Sequence, residues 1–206
     1  SCGIAIGSPS CSATCTVRRS ISTFALAIEE KTVHSRQAED WRVTLVDTGA
    51  DSMTGGRLKR VREHVGDETF CFTYGDGVTD ADISAEIAFH KSQGLEATMM
   101  AVQPAGRFGA LVLGANETKI ESFQEKPQGD GAWINAGYFV LEPSVIDYID
   151  GDDTVFEQDP LRNLAHAGQL NAYKHSGFWQ PMDTLRDRNL LETLWSEGKA
   201  PWKVWN

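Results

Sequence analysis

The chain has 206 residues, of which 41% are hydrophobic and 23% charged, and its formal net charge is −10. This length and composition are typical of one globular domain. The negative charge argues against a general attraction to nucleic acid or to anionic membranes, and no apolar run reaches the roughly 18 residues that would span a bilayer. A ligand that carries phosphate would therefore need local cations or a bound metal ion.

Residues 1–21 differ in texture from the rest of the chain. They are rich in Ser, Cys and Thr and poor in acids, and their arginines follow the weakly apolar part, unlike the order in a secretory signal. We expect this segment to be disordered or foreign to the fold, and residues 22–206 to form one domain. Cys11 and Cys15 have no second Cys or His pair at zinc-finger spacing, so reduced thiols and a cytoplasmic location are expected.

Apolar periodicity and turn residues predict an alternation of strands and helices. The predicted elements, in chain order, are strand 43–47, helix 54–65, strand 69–73, helix 80–94, strands 96–103, 107–113, 119–127 and 133–143, helices 143–149 and 160–168, strand 170–175 and helix 184–198. Such an order predicts an α/β fold, with a sheet dominated by parallel strands and helices on both faces.

The stretch FCFTYGDG at residues 70–77 is the first candidate for chemistry. A short apolar run that stops at Gly75, Asp76 and Gly77 is typical of a buried strand, and ligands gather outside the carboxyl ends of such strands. Asp76 between two glycines is therefore a candidate metal or phosphate position. A plain turn with a solvated aspartate explains the same octet.

A second candidate is the helix start at Thr54, Gly55, Gly56 and Arg57. Free backbone N–H groups at a helix N-terminus attract an anion or a polar base edge, and glycines allow close approach. The stretch lacks both the dinucleotide fingerprint and the Walker Gly-Lys-Ser/Thr pattern. An ordinary helix start is the alternative.

Two later motifs carry polar side chains at the ends of elements. In SFQEKP, Glu125 could accept hydrogen bonds from a sugar while Lys126 meets a phosphate, although a surface ion pair fits equally well. In FWQPMDT, Asp183 could be a second metal ligand facing Asp76, because magnesium commonly takes one or two carboxylates together with substrate phosphates. The alternative for Asp183 is an acid at a helix start.

Asp80 and Asp82 match the D-x-D pattern of metal-dependent glycosyltransferases. Because they lie at the start of a predicted helix, N-capping is the simpler interpretation. The five histidines show no ligand spacing, and no Ser or Cys occupies a nucleophile elbow.

Several long motifs in a fixed order resemble the glucose-1-phosphate cytidylyltransferases, a family of the sugar-nucleotide pyrophosphorylase superfamily. The motifs are VTLVDTGADSMTGGRLKRV, FTYGDGVTDADI, GRFGAL, SFQEKPQGDGAWINAGYFVLEPSVID and GFWQPMDTLRDRNLLETLW. The resemblance runs from about Trp41 to the C-terminus. It implies a Rossmann-like mixed sheet flanked by helices, and the synthesis of CDP-glucose and pyrophosphate from CTP and glucose 1-phosphate for bacterial surface polysaccharides.

The resemblance also implies roles for individual residues. Asp76 and Asp183 would bind Mg²⁺, and Lys126 with these two would be catalytic. The implied nucleotide contacts are Thr48, Gly55, Gly56, Arg57 and Thr73. The implied sugar and sugar-phosphate contacts are Gly109, Glu125, Lys126, Asn135 and Gly137. Family members form homo-oligomers, so the same is expected here.

One feature departs from the superfamily pattern. The opening G-G-x-G-T-R loop and the following Pro-Lys-Pro, which hold the triphosphate in the superfamily, do not occur in this sequence. We therefore expect an N-terminally incomplete fold and a loss of rate, because preorganised phosphate donors contribute strongly to catalysis. Two other functions stay open: a glycosyltransferase that uses Asp80 and Asp82, and a non-catalytic protein that binds sugar nucleotides.

Overall fold

A computed structural model describes the chain at residues 4–7, 22–25, 30–33, 44–104, 110–113, 120–124 and 132–204. The helices are α1 Thr54–Arg60, α2 Arg62–Val65, α3 Ile83–Gln93, α4 Asp159–His166 and α5 Leu185–Ser196, with a 3-10 helix at Pro143–Tyr148. The strands are β1 Ile4–Gly7, β2 Ser22–Ala25, β3 Glu30–Val33, β4 Phe70–Tyr74, β5 Gly77–Thr79, β6 Ala97–Val102, β7 Ala110–Leu113, β8 Ile120–Gln124, β9 Ile134–Leu141, β10 Leu170–His175 and β11 Trp179–Pro181. None of the helices in these ranges is long and apolar enough to cross a membrane.

The central sheet has five strands in the order β1-β4-β9-β6-β10. β4, β6 and β10 run in the same direction, since β9 is antiparallel to both β4 and β6, and β10 is parallel to β6. β1 is antiparallel to β4 at the edge of the sheet, so part of the segment expected to be foreign to the fold pairs with it. The mixed sheet flanked by helices that the resemblance implied is confirmed. Parallel pairing does not dominate it among the described strands, since β10 pairs parallel with β6 and the other three neighbouring pairs are antiparallel.

Strand side chains alternate between the two faces of this sheet, and helices cover both. On one face Phe70 and Phe72 of β4 pack in a buried cluster with Leu58 of α1 and Leu164 of α4. The opposite face of the sheet packs against α3, as the hydrogen bond between Thr98 of β6 and the buried His90 of α3 shows. The core therefore lies mainly between the sheet and the helices α1 and α4.

Aromatic rings fill the centre of the main core. Phe72 makes edge contacts with Phe156 at 5.3 Å between ring centroids and with Tyr74 at 5.6 Å, and a tilted contact with Phe139 at 5.6 Å. Edge-to-face arrangements of this kind are the favoured geometry for aromatic pairs. These contacts anchor the carboxyl end of β4, which is where the candidate site begins.

The structure differs from two of the predicted elements. Residues 44–49 form no strand, and Leu45 is 87% exposed, because no neighbouring strand within the described residues pairs with this segment. The helix predicted for residues 54–65 is interrupted at Val61, whose ψ of 9° ends α1 before α2 begins. The β-branched run was a correct local signal for a strand, but a strand also depends on a partner to pair with.

Candidate functional site

The Gly-Asp-Gly motif forms the turn that follows β4. Gly75 and Asp76 make the turn, and Gly77 begins β5, which pairs antiparallel with β11 in the register Gly77↔Pro181. A backbone hydrogen bond continues this pairing beyond the strand ends, because the amide of Met182 donates to the carbonyl of Asp76 at 2.7 Å. Asp183, one residue further, is therefore brought to the same end of β4 as Asp76.

The backbone of Asp183 is held by the start of α5. The next residue, Thr184, is the N-cap, and it forms a capping box with Asp187 in which each side chain binds the other's backbone amide. Gln180 of β11 donates from its side chain to the buried Asp187 at 3.1 Å. A capping box fixes the entry of the chain into a helix, so Asp183 occupies a well-defined position between β11 and α5.

The donor set at this turn suits magnesium. Asp76 is half-buried and Asp183 is exposed. Within the described residues no group of three or more His, Cys, Asp or Glu side chains could hold a metal ion. Mg²⁺ typically binds through one or two carboxylates plus substrate phosphates and water, so two aspartates at the same end of β4 fit its chemistry.

Thr48 and Arg57 are brought together at the start of α1. The guanidinium of Arg57 donates to the Thr48 hydroxyl at 2.8 Å and to the carbonyl of Ala50 at 3.1 Å. This links the loop before α1 to its first turn, and it orients both side chains. Arg57 has five N–H donors, so the two bonds leave donors for a polar ligand.

Gly55 and Gly56 are buried where α1 crosses the loop 152–154. Their amides donate to the carbonyl of Thr154 at 2.9 and 3.3 Å. A Cβ on Gly55 would lie 2.7 Å from that same carbonyl, and one on Gly56 would collide with the backbone of Asp152. Close packing of helix against loop thus requires glycine at both positions, and these two amides already have protein partners.

Thr73 and Gly137 lie where β4 and β9 pair, and Asn135 lies on β9 where that strand pairs with β6. Thr73 is opposite Tyr138 in the register, and its hydroxyl donates to the carbonyl of Tyr74 at 3.2 Å. Two residues of β9 bulge out here, since Asn135 pairs with Ala101 whereas Phe139 pairs with Met99.

Gly137 sits in the bulge with a φ of +78°, and its amide donates a hydrogen bond of 2.7 Å to the side-chain oxygen of Asn135. A bulge of this kind bends the strand and redirects its side chains, and bulges are common beside active sites.

The comparisons with known proteins agree with this architecture. Residues 29–187 match the family described as nucleotidyl transferase. The chain belongs to the nucleotidyl transferase family. It is 61% identical over 184 residues to the glucose-1-phosphate cytidylyltransferase of Salmonella typhimurium, covering 89% of this chain and 71% of that relative. It is 42% identical over 172 residues to a Bacillus subtilis protein described as a glucose-1-phosphate cytidylyltransferase, covering 82% of this chain and 66% of the relative.

A solved structure shows the same fold. A Bacillus anthracis protein described as a glucose-1-phosphate thymidylyltransferase superposes with a TM-score of 0.54 at 18% identity, covering 77% of this chain and 64% of that one. At this identity the likeness concerns the fold alone. It agrees with the mixed sheet flanked by helices that the described residues form.

The two aspartates of the D-x-D pattern have structural partners in this nucleotidyl transferase domain. One oxygen of Asp80 accepts from the backbone amide of Phe178 at 2.8 Å and lies 2.9 Å from Nε2 of His175. Asp82 is the N-cap of α3 and accepts from the amide of Ala85 at 3.1 Å. Asp80 thus fastens the loop before β11, and Asp82 caps a helix, so the family match favours nucleotidyl transfer over glycosyl transfer.

Gly109, Glu125 and Lys126 lie outside the described residues. Their predicted roles toward the sugar and its phosphate therefore stay predictions. The residues assigned to the nucleotide and to the metal all lie within the described part of the chain.

Sequence reasoning missed a set of side chains that tie the turn to its neighbours. The hydroxyl of Tyr138 donates to the carbonyl of Gly77 at 2.7 Å, and the indole of Trp179 donates to the carbonyl of Ala136 at 2.9 Å. Glu157 accepts from the hydroxyls of both Tyr74 and Thr54. No local pattern announces such bonds, because each joins residues that are distant in sequence.

A buried carboxyl on α3 was missed as well. Glu86 is 1% exposed, and its Oε1 has no hydrogen-bond partner among the described residues. Burial raises the pKa of Glu86 to about 8, because desolvation disfavours the charged form. Burial, and secondarily the nearby Glu86, raises the pKa of the Cys71 thiol to about 11. Cys71 is therefore a thiol at neutral pH, consistent with a small residue of the sheet.

Proposed function

We propose that this chain transfers CMP from CTP to glucose 1-phosphate, giving CDP-glucose and pyrophosphate. The observation that carries the proposal is the pairing of Met182 with Asp76, which brings Asp76 and Asp183 to the carboxyl end of β4 in a chain 61% identical to a glucose-1-phosphate cytidylyltransferase. Ligands of open α/β sheets gather at that end of the strands.

The proposal assigns Mg²⁺ to Asp76 and Asp183. Asp76 directly precedes Gly77, and Asp183 lies two residues after Pro181, the residue paired with Gly77. This closeness of the two backbones and the exposure of Asp183 support a shared ion that also contacts substrate phosphates. The chemistry that Mg²⁺ supplies when bound is neutralisation of phosphate charge at the reacting centre. The protein's own contribution is the rigid backbone that holds both carboxylates in place.

Nucleotide recognition is assigned to the segment before and within α1. Thr48 and Arg57 present a hydrogen-bonded pair of polar side chains beside Gly55 and Gly56, and Thr73 lies on β4. Because the glycine amides donate to Thr154, we assign the polar contacts with the base chiefly to the pair Thr48 and Arg57, and close approach to the glycines.

Sugar recognition is assigned to the bulge of β9 and to the segments that carry Gly109, Glu125 and Lys126. Asn135 and Gly137 supply an amide side chain and a backbone that approaches without a Cβ. Glu125 would accept hydrogen bonds from sugar hydroxyls, and Lys126 would meet the sugar phosphate.

The reaction proposed is a direct displacement at phosphorus. An oxygen of the glucose 1-phosphate attacks the α-phosphorus of CTP and forms the new P–O bond, while the bond from that phosphorus to the oxygen of the β-phosphate breaks and pyrophosphate leaves. No covalent intermediate with the protein is needed. Catalysis then rests on positioning the two substrates in line and on stabilising charge with Lys126.

The resemblance also implies a biosynthetic pathway, a cellular location and an oligomeric state for this chain. The product would feed polysaccharide synthesis such as that of the O antigen in a bacterial cytoplasm, and the chain would act as a homo-oligomer. These parts rest on the relatives and are tested separately, the oligomeric state by light scattering of the purified chain.

The test is pyrophosphate release by the purified chain with CTP, glucose 1-phosphate and Mg²⁺, with UTP and dTTP measured in parallel. We expect release that prefers CTP and that depends on the sugar phosphate. The matched variants are Asp76→Asn, which should lower release by at least roughly a hundredfold, and Asp67→Asn, an exposed aspartate at the opposite end of β4 that should not change it. Saturable binding of CDP-glucose by a cooperatively folded chain without release would instead indicate a non-catalytic sugar-nucleotide-binding protein.

A further inference from the structure

We infer that Tyr138 is a positioning residue that couples the sugar side of the site to its metal side, an inference that rests on the proposed function. Tyr138 follows Gly137 directly in β9, so its backbone belongs to the bulge assigned to the hexose. Its hydroxyl donates across to the carbonyl of Gly77, the residue next to Asp76, at 2.7 Å. One side chain therefore spans the two halves of the site.

A second side-chain hydrogen bond joins the same parts of the fold, and here the bulge of β9 supplies the acceptor. Trp179 of β11 donates from its indole to the carbonyl of Ala136, which precedes Gly137 in the bulge. β11 is also the strand that leads to Asp183 and pairs with β5. The bulge is thus fastened by one side-chain bond to the strand after Asp76 and by another to the strand before Asp183.

The surroundings of these side chains favour a stiff linkage. Tyr138 and Trp179 pack against the buried cluster of Met100, Val102 and Ala136, so neither ring is free to turn away from its acceptor. The ring of Tyr138 lies 3.9 Å, and the Trp179 indole nitrogen 3.8 Å, from the position that a Cβ on Gly77 would occupy. Hydrogen bonds in such partly buried surroundings resist competition from water.

The consequence is thermodynamic coupling between the two ligands. A sugar phosphate that fixes the bulge also fixes the carbonyl of Gly77, and with it the backbone of Asp76, through Tyr138. Coupling of this kind is reciprocal, so metal binding at Asp76 would favour sugar binding by the same factor. Tyr138 is proposed to contact neither ligand and to act only through its hydrogen bond to the backbone of Gly77.

The test compares Tyr138→Phe with Tyr173→Phe by hydrogen exchange of the metal-free chain. Tyr173 packs against the same cluster, and its hydroxyl makes no hydrogen bond in the described part of the chain, so it is the matched control. Loss of one hydrogen bond, worth about 0.5 to 1.5 kcal/mol, corresponds to amide exchange faster by roughly two- to twelvefold. We expect that increase in residues 76–79 and at Met182 in Tyr138→Phe and not in Tyr173→Phe.

The functional arm measures the Mg²⁺ concentration that gives half-maximal pyrophosphate release. We expect Tyr138→Phe to need about two- to tenfold more Mg²⁺, with kcat at saturating Mg²⁺ close to that of the parent chain, because only positioning is lost. Trp179→Phe, which removes the neighbouring bond, should loosen the same segment. It serves as the second variant if Tyr138→Phe does not fold.

Failure of the coupling and failure of the proposed function give different results in these experiments. Exchange in residues 76–79 that equals the parent rate in both Tyr138→Phe and Trp179→Phe would overturn the coupling, as would faster exchange spread over the whole chain. An unchanged Mg²⁺ requirement in an active Tyr138→Phe would overturn it too. A parent chain that releases no pyrophosphate would count against the proposed function alone, and the exchange comparison would still decide the role of Tyr138.

Discussion

Met182 lies opposite Asp76 across the pair formed by β5 and β11, and its amide donates to the Asp76 carbonyl at 2.7 Å. This single bond fixes the distance between two segments of backbone that are far apart in the chain. Asp183 follows Met182 directly and precedes the N-cap of α5, so both ends of its short segment are tied to regular elements. Sites held by regular elements keep their geometry more tightly than sites on long loops.

Asp76→Asn and Asp183→Asn are each expected to lower pyrophosphate release by at least roughly a hundredfold, because a neutral amide is a poor ligand for Mg²⁺ and stabilises less charge. The residual activity should require more Mg²⁺. The measurement is initial rate against Mg²⁺ concentration, with Asp67→Asn as the exposed control. Unchanged Mg²⁺ dependence in both variants would contradict the metal assignment.

Gly56→Ala is expected to lower the free energy of unfolding by about 1 to 3 kcal/mol, as overpacking typically does. The added Cβ would collide with the backbone of Asp152, which cannot move aside as a flexible side chain could. Urea unfolding measures the change. Gly151→Ala is the control, since a Cβ there would meet nothing within 4 Å. Equal stability of the two variants would refute the packing role of Gly56.

Asp82→Ala separates helix capping from glycosyl-transfer chemistry. Loss of the N-cap of α3 should cost about 1 kcal/mol of stability while nucleotidyl transfer continues, because Asp82 binds the amide of Ala85 and lies outside the proposed metal pair. Asp82→Ser should restore most of the stability. Sugar transfer to an acceptor that Asp82→Ala abolishes would favour the glycosyltransferase function instead.

Glu86→Gln tests the buried carboxyl of α3 through the pH dependence of stability. Burial raises the pKa of Glu86 from 4.5 to about 8, so the folded chain keeps a proton that the unfolded chain releases. The stability held by that proton is fully present below pH 4.5 and is lost as pH rises through about 8. The upper limit of the loss is roughly 5 kcal/mol, at about 1.4 kcal/mol for each pKa unit.

The measurement is the urea midpoint at pH 5, 7 and 9, taken as the difference between each variant and the parent chain. Glu86→Gln should gain stability relative to the parent as pH rises, since the amide has no proton to lose. Glu192→Gln, an exposed residue of α5, controls for the general effect of removing a carboxylate. A constant difference across this pH range would exclude Glu86 as the titrating group.

Local patterns predicted much of the fold. β10 was predicted at its observed bounds, α3 ends at Gly94 in the left-handed conformation expected of a closing glycine, and the apolar run of β4 stops at the predicted turn. These succeed because period, capping and glycine conformation are properties of neighbouring residues. The strand expected at 43–47 failed in the described part, since a strand also needs a partner.

The candidate site was predictable only in its pieces. The turn at Asp76 and the acid before α5 are visible in the sequence, but their meeting depends on the pairing of β5 with β11. Likewise, Gly55 and Gly56 suggested ligand approach, whereas their neighbours in the fold are Asp152 and Thr154. Contacts between distant segments follow from topology, and a single sequence does not specify them.

The bulge of β9 has a consequence for altering the substrate range of this enzyme family. Gly137 is restricted twice, since its φ of +78° disfavours every L side chain and a Cβ there would lie 2.7 Å from the ring of Tyr74. A saturation library at this codon should therefore return glycine alone among stable clones. Under the proposed hexose role of the bulge, we expect variants that accept another hexose to arise at positions around it, such as Asn135, with Gly137 unchanged.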